Sequence, residues 1–386
     1  MRVLVVLPWE PWRTGDGVVL PVFHHLHELA QRHEITVLAG SGSGTEVQVV
    51  GPERGLPEGV RVRWFGTNLS APVDLACRRA RALARREPDH ALYVERKGLL
   101  AAFDEQTRSA DLVYLAGWGT AQLARRTALP AVHFAVDPWA VTWSNRRQPL
   151  ARRLFDTGQA ALVRRHEATH YPASSHVVVV AEADADLLRA QVPGARFAVV
   201  PNGVEPGPEP ALWPSSPVLG LHGSFETQAN VDAARALVEQ LWPRVRALVP
   251  QATVLLAGRG PGPEVTALVQ QGVELAADVP SMRPVLDRTS VHVSWMTSGL
   301  GMKNKVLEAL AAGRPVVANS LGANGIGAGP GLQVTDDPEQ AAVIIAGLLD
   351  GSGRQQGIDG RARVLREHSW TASAAALESV WQEAVR

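Results

Sequence analysis

Cysteine is nearly absent: Cys77 is the only one in 386 residues. A single thiol excludes an internal disulfide and a cysteine-built metal site, and it points to a reducing compartment. An excess of one charge is also missing. Lysine plus arginine and aspartate plus glutamate both number 38, so composition gives no reason to expect nucleic acid. Long apolar runs are missing too. The N-terminal MRVLVVLPWEPW is broken by Pro8 before it reaches the length of a signal-peptide core. No stretch approaches the roughly 18 apolar residues of a membrane span. A cytoplasmic protein is expected. The chain carries no G-x-x-x-x-G-K-[ST] and no G-x-S-x-G, so neither a P-loop nor a nucleophile elbow is expected, and no H-E-x-x-H zinc motif is expected either.

What is present is alternation. Short apolar runs at 2–7, 35–40, 60–65, 111–116, 131–136 and 177–182 read as strands. A second set stands at 196–201, 218–223, 253–258, 291–295 and 315–319. Most are continuous rather than alternating, the mark of strands buried on both faces of a parallel sheet. Segments of helical period lie between them, as in VDAARALVEQLWPRVRALV (231–249). Strand–helix alternation means an α/β fold with right-handed crossovers. Residues 201–217, PNGVEPGPEPALWPSSP, hold six prolines in seventeen positions and read as a break between two α/β domains. The division expected is 1–195, a linker at 196–217, a second domain at 218–368, and a C-terminal helix over 369–386 that packs back on the first. Ligands of open α/β sheets bind beyond the carboxyl ends of the strands. The loops of interest are therefore 8–17, 116–119, 136–145, 223–230, 258–263 and 296–305.

The stretch TSGLGMKNKVLEALAAGRPVVAN (297–319) leads from a strand through a glycine turn into a helix, with Gly313 as its C-terminal cap. Free backbone N–H groups at such a helix start attract an anion, and Lys303 and Lys305 add full charge. Asn304, Lys305 and Glu308 share one helix face. A phosphate at Gly301, Met302 and the lysines would bring an attached ribose within reach of Glu308, which suits a nucleotide diphosphate; a plain surface Lys–Glu pair is the alternative. In AGRGPGPEV (257–265) the glycines allow close backbone approach, and Arg259 could clasp a phosphate or stack on a base.

In the first domain, Gly15 and Gly17 open the loop before PVFHHLHELA. His24, His25 and His27 lack metal-ligand spacing and read as surface or cleft-lining residues. Asp137, flanked by Trp139 and Trp143, has the composition of a sugar site, aromatic planes beside a carboxylate, with packing tryptophans as the alternative. Trp9 and Trp12 would suit an apolar acceptor or a core. The segment NRRQPLARRLFDTGQAALVRRHE carries Arg146, Arg147, Arg152, Arg153, Arg164 and Arg165, with Leu150, Leu154, Leu162 and Val163 toward the buried side. Its basic face reads first as solvated, with an acidic lipid surface or a phosphorylated acceptor as alternatives. Asp184 and Asp186, spaced like a metal-binding pair, open a helix and complement its dipole instead. No metal site and no cofactor are expected.

VVPNGV (199–204) resembles the linker motif of family 4 glycosyltransferases, which have the two-domain GT-B fold. GMKNKVLEALAAGRPVVAN is similar to the N-K-V-L-E-A signature of their exopolysaccharide-type branch. GSFETQANVDAARALVEQLWPRVRALVPQATVLLAGRGP (223–261) resembles that branch's G-S-x-x-x-x-x-N-x-D-A segment, and 320–342 and HSW (368–370) continue the likeness. The resemblance covers nearly all of 196–375 and is looser over 1–195. It implies two Rossmann-like domains facing a central cleft, with the acceptor on the first and the nucleotide sugar on the second. It implies retaining, metal-independent transfer to a hydroxyl acceptor. Lys305 would balance the diphosphate and Glu308 would hold the ribose, with Asp137 joining them in catalysis. Gly223, Ser224, Arg259, Gly301, Met302, Lys303 and Asn304 would complete the donor site; Gly15, Gly17, Trp139 and Trp143 would face the acceptor. Members commonly carry two glutamates eight apart, and here the first position is Leu300; the backbone N–H groups of 299–302 are the expected substitute. The usual basic pair after the first strand of the second domain is also missing from GSFETQAN, which leaves the positive charge to Lys303, Lys305 and Arg259. The alternatives are a non-catalytic nucleotide-sugar-binding or scaffold protein and a nucleotide-sugar hydrolase or epimerase.

Overall fold

The computed structural model describes residues 1–11, 17–41, 47–50, 55–66, 80–82, 84–88, 91, 94, 98–144, 150–210, 212–270 and 272–386. Trp12, Gly15, Cys77, Arg146 and Arg147 lie outside these residues, as do the side chains of Leu150, Arg152, Arg153 and Leu154. The chain divides into two compact units, Met1–Pro201 joined by Trp370–Arg386, and Asn202–Ser369.

The first unit is built on β1 (Arg2–Leu7), β2 (Glu34–Ser41), β3 (Val47–Val50), β4 (Val60–Gly66), β5 (Leu112–Ala116), β6 (Ala131–Val136), β7 (His176–Val179) and β8 (Phe197–Val199). They form one sheet in the order β3-β4-β2-β1-β5-β6-β7-β8. Every pairing is parallel except that of β3 with β4. β3 was not expected from the sequence. Its four residues carry no flanking helical period, because an antiparallel edge strand needs no crossover. β8 extends the sheet to residue 199, into the stretch read as linker. The Trp370–Val385 helix belongs to this unit and packs on the Val19–Leu29 helix.

That packing corrects the reading of the histidines. His25 is buried, with Nε2 3.0 Å from Ser373 Oγ. His24 stacks on Trp370 at 4.2 Å between ring centroids, and burial pushes it down to about 4. Neither ring is a surface group, because a helix 348 residues away in sequence covers them.

The second unit holds β9 (Val218–His222), β10 (Thr253–Gly258), β11 (Val273–Ala277), β12 (Val291–Ser294), β13 (Val316–Ala318) and β14 (Leu332–Val334). The order is β11-β10-β9-β12-β13-β14, all parallel. β11 and β14 are edge strands that the sequence did not announce, since each is short and only half-buried. The core is aliphatic, gathered around Leu219, Leu221, Val254, Leu256, Val291 and Val293, with Trp242 and Leu241 from the covering helices.

Strand order sets where ligands can bind. In the second sheet β9 has β10 on one side and β12 on the other, so the connections leave in opposite directions there. The crevice at such a switch point opens beyond the carboxyl ends of the two central strands. Those ends are His222–Gly223 and Ser294–Trp295. The same reversal in the first sheet lies between β1 and β5.

Candidate active site

The second unit's crevice is lined by three loops. The first leaves β9 at Gly223, whose amide donates to Ala257 O at 3.0 Å. A Cβ on Gly258, at the end of β10, would fall 1.8 Å from Gly223 O. The two loops thus touch backbone to backbone, and only glycine fits at 258. Asn230 closes the first loop from the following helix by donating Nδ2 to Ser224 O at 2.7 Å. Arg259 is exposed and paired with the equally exposed Glu226 at 3.1 Å, a contact of little energetic weight in water. Glu226 Oε2 also accepts from Ser224 Oγ at 3.3 Å.

The third loop follows β12. Gly299 and Gly301 have φ of 91° and 74°, and the turn they make delivers the chain into the Asn304–Ala311 helix. Lys303 is buried beneath this turn. Its Nζ donates to the carbonyls of Gly299, Leu300 and Gly301 at 3.0, 2.8 and 3.0 Å. Three donors meet three carbonyl acceptors, so Lys303 shapes the turn from below. Met302 beside it is buried.

Asn304 is likewise engaged inside the protein. Its Oδ1 accepts from Asn202 Nδ2 at 2.8 Å, and Asn202 O lies 3.4 Å from His368 Nδ1. Three separate stretches, PNG, NKVLE and HSW, therefore meet at Asn202.

Lys305 is the cation that faces the first loop. Its Nζ donates to Asn230 Oδ1, with Met296 Sδ at 3.8 Å. Burial, reinforced by the neighbouring Lys303 charge, lowers Lys305 to about 7 against the opposing pull of Glu308. One turn on, Glu308 Oε2 accepts from His222 Nε2 at 2.8 Å. His292 Nε2 stands 3.1 Å from His222 Nδ1. Residues 220 and 222 share one face of β9, and the register pairs His292 with Gly220, which brings both imidazoles under the helix. Burial, then the charges of His222 and Lys305, hold His292 well below the ordinary imidazole value. Held neutral, His292 can either donate to or accept from His222 Nδ1, while His222 Nε2–H meets the carboxylate. Burial would raise the Glu308 carboxyl, but the His222 hydrogen bond and the His222 and Lys305 charges outweigh it and keep it lowered. Asn230, His222 and His292 were missed in the sequence. Asn230 stood in a recognised motif without a role, and the histidines looked like strand residues.

The first unit's candidate residues gather after β6. Val136 has φ of 72°, rare for a β-branched residue and costing on the order of 1–3 kcal/mol. The β6–β7 register shifts between Phe134 and Val136. This kink aims the chain into Asp137 and the Trp139–Ser144 helix. Glu167, from the Leu150–His170 helix, accepts from Ala140 N at 3.3 Å at the start of that short helix. Burial raises Glu167 to about 7, with the Asp137 charge adding to it. Trp143 is 5% exposed and packs with Ala140, Ala160 and Val163. Its ring is part of the core, which corrects its reading as an acceptor plane. Trp139 is half-buried and donates its indole N–H to Ala135 O at 3.2 Å. Gly17 is exposed with open space where a Cβ would stand, so nothing here demands glycine. Arg164 and Arg165 are exposed, as a solvated face requires. No helix among the described residues is long and apolar enough to cross a membrane.

That helix also corrects the expectation that the chain has no H-E-x-x-H. His166-Glu167-Ala168-Thr169-His170 is an H-E-x-x-H, with two imidazoles one turn apart.

Comparison with known proteins agrees with this geometry. The family model described as Glycosyl transferases group 1 matches residues 216–351, and that described as Glycosyltransferase Family 4 matches residues 15–207. Among curated proteins none matches the chain in sequence. Solved structures resemble it in fold at low identity. Sucrose-phosphate synthase from Thermosynechococcus elongatus has a TM-score of 0.73 at 16% identity, covering 99% of each chain. A trehalose 6-phosphate synthase from Burkholderia multivorans has 0.65 at 13%, covering 99% of this chain and 98% of that one. Anabaena HepE in complex with UDP and glucose has 0.63 at 14%, covering 98% and 99%. With one family model spanning half its length and two parallel-stranded units of the GT-B type, the chain belongs to Glycosyltransferase Family 4 and is a glycosyltransferase.

Proposed function

We propose that this glycosyltransferase takes its sugar from a nucleotide-diphosphate donor bound on the second unit and passes it to a hydroxyl acceptor bound by the first. One observation carries the reading: Lys305 and Glu308 stand one turn apart at the switch-point crevice, the ammonium on Asn230 and the carboxylate on His222. An ammonium and the free N–H groups at the start of the Asn304–Ala311 helix suit a diphosphate. A carboxylate with one oxygen taken by His222 keeps its other oxygen for the ribose hydroxyls. Gly223 and Ser224 line the same crevice, and Arg259 is close enough in sequence to Gly258 to exchange Glu226 for a phosphate. Lys303 and Asn304 act on the site by holding the turn and the helix rather than by touching the donor. HepE binds UDP and glucose in its solved complex, which supports a uridine-type donor.

Transfer needs little covalent help from the chain. The leaving group is a nucleotide diphosphate, and fixed positive charge at its oxygens stabilises the transition state. In our reading the reaction retains anomeric configuration and needs no metal at the diphosphate, because Lys305 and the turn amides supply the charge. The acceptor hydroxyl attacks from the face the phosphate leaves, and the departing phosphate takes its proton. Asp137 lies beyond β6 in the loop we assign to the acceptor. We place the protein in the cytoplasm, a reading that its lone cysteine supports.

Leu300, where a sugar-holding glutamate is common, and the absence of a base in GSFETQAN favour a second reading, a nucleotide-sugar-binding protein without turnover. A panel of nucleotide sugars, with and without hydroxyl acceptors, distinguishes the two. Nucleotide diphosphate released only with an acceptor is the expected result. Release without acceptor would make the chain a hydrolase, and binding without release would make it the second reading.

A further inference from the structure

Glu87, His166 and His170 converge outside the residues assigned to transfer. The two histidines sit at i and i+4 on the Leu150–His170 helix, so both imidazoles leave the same face. The glutamate arrives from a different part of the chain. Arg86 takes a left-handed conformation, φ 55°, and Glu87 N donates to Ala82 O at 2.9 Å. That is a helix C-terminal turn, and Pro88 prevents its continuation. The turn sets Glu87 against the long helix. Its Oε2 lies 2.6 Å from His166 Nδ1 and its Oε1 3.5 Å from His170 Nε2. One ligand atom from each of the three residues falls within a common 4.8 Å. His166 is 2% exposed, while the Glu87 side chain is 29% exposed and keeps the cluster open to solvent.

We propose that Glu87, His166 and His170 bind one divalent transition-metal ion of the Zn²⁺ class, tying the Leu150–His170 helix to the turn at residues 84–88. Two imidazoles and one carboxylate are a borderline-soft donor set, which suits zinc better than magnesium or calcium. Zinc with bonds near 2.1 Å in tetrahedral geometry separates its ligands by about 3.4 Å. The ligand atoms, one per residue, already lie within 4.8 Å of one another, and the 2.6 Å contact of Glu87 Oε2 with His166 Nδ1 must open by side-chain rotation to admit the ion. Binding puts the ion where the imidazole N–H groups now meet the carboxylate; a neutral ring keeps its proton on the other nitrogen, and a protonated ring releases one to solvent. Three protein ligands leave one position for water.

The ion's role is structural. In a zinc hydrolase of H-E-x-x-H type the glutamate of the string serves the bound water. Here that residue, Glu167, is turned toward Ala140 N. The ion would therefore fix the helix from which Glu167 holds the start of Trp139–Ser144, two residues beyond Asp137. None of its ligands belongs to the second unit, so this proposal stands apart from the diphosphate site.

The test uses the untagged full chain, stripped with a chelator and titrated with Zn²⁺ by calorimetry and with Co²⁺ by visible absorption. Glu87→Gln and His170→Gln are the variants, both partly exposed at the site and near in size to the residues they replace. The wild type is expected to bind one equivalent, to show the intense visible band of tetrahedral Co²⁺, and to melt at higher temperature with Zn²⁺. Each variant is expected to lose more affinity than the about 10–100-fold that second-shell changes cost, with unchanged circular dichroism. Absence of stoichiometric binding in the wild type would mean that Glu87 joins the histidines through protons alone. Equal affinity in wild type and both variants would mean that other residues hold the ion. Either result overturns the proposal.

Discussion

His222 and Glu308 are 86 residues apart in sequence and 2.8 Å apart in space. The imidazole at the end of the first strand of the second unit holds the carboxylate of the signature helix, and His292 backs it at 3.1 Å. The acid is thus fixed by buried partners before any ligand arrives, and a preorganised carboxylate loses less freedom on binding.

This arrangement predicts a graded series at position 222. Nε2 is the atom that meets Glu308, and the amide of glutamine can place a donor near it while alanine cannot. His222→Ala should raise the donor KM about tenfold, the loss of one charge-assisted hydrogen bond, with a smaller change in kcat. His222→Gln should recover much of that loss. Steady-state kinetics with varied donor decide it; equal kinetics in wild type and His222→Ala would remove His222 from the site.

Lys305→Ala should lower kcat/KM by about 10²–10³, the scale for deleting one preorganised charge-stabilising donor. Nucleotide diphosphate release under saturating acceptor measures it. Wild-type turnover in this variant would end the assignment of the diphosphate site.

The depressed Lys305 also sets a pH dependence. Burial holds its ammonium at about 7, against an ordinary 10.5. The diphosphate requires the charged form, so donor affinity should fall as pH rises through about 7, by at most tenfold per unit. The free protein behaves oppositely. Between about 7 and 10.5 the unfolded chain binds the extra proton, so this group's destabilising effect is full below 7 and fades as pH rises. Calorimetric donor titrations across about pH 6 to 9 check the first sign; affinity that is flat or rising with pH would contradict it.

Gly258→Ala tests the backbone contact between the first two loops. A Cβ 1.8 Å from Gly223 O cannot be accommodated without moving one strand end. Overpacking of this kind costs about 1–3 kcal/mol or more, and each kcal/mol lowers Tm by roughly 2–4 °C in a unit of this size. Donor binding should weaken with it, because Gly223 begins the loop that Asn230 closes.

The two tryptophans near Asp137 should separate. Trp143→Ala removes a core ring and should cost about 3–5 kcal/mol of stability. Trp139→Ala removes a half-buried ring and should shift Tm less while raising the acceptor KM. A larger Tm loss at 139 than at 143 would reverse the assignment.

Much of this protein is written locally. Continuous apolar strands, helical period and a proline-rich break determine an α/β chain of two units, because each signal acts within a few residues. The signature stretch likewise fixes Lys305 and Glu308 on one helix face. Partnership across the fold is a different matter. Lys303 and Lys305 are chemically alike and two residues apart, yet one is buried under the glycine turn and the other faces Asn230. Trp143 became core, while Trp139, one turn earlier on the same helix face, stayed half-buried at the edge of the cluster that Ala160 and Val163 form. His25 became internal because the C-terminal helix returns to cover it. The β11, β3 and β14 edges, the His222–Glu308 pair and the meeting of Glu87 with His166 and His170 all depend on long-range packing. Sequence determined the residue types, the periodicities and the helix face of the site. Only the tertiary structure decided which of those residues met one another, since a side chain's partner is set by the strand order and the return of distant segments, which no local pattern encodes.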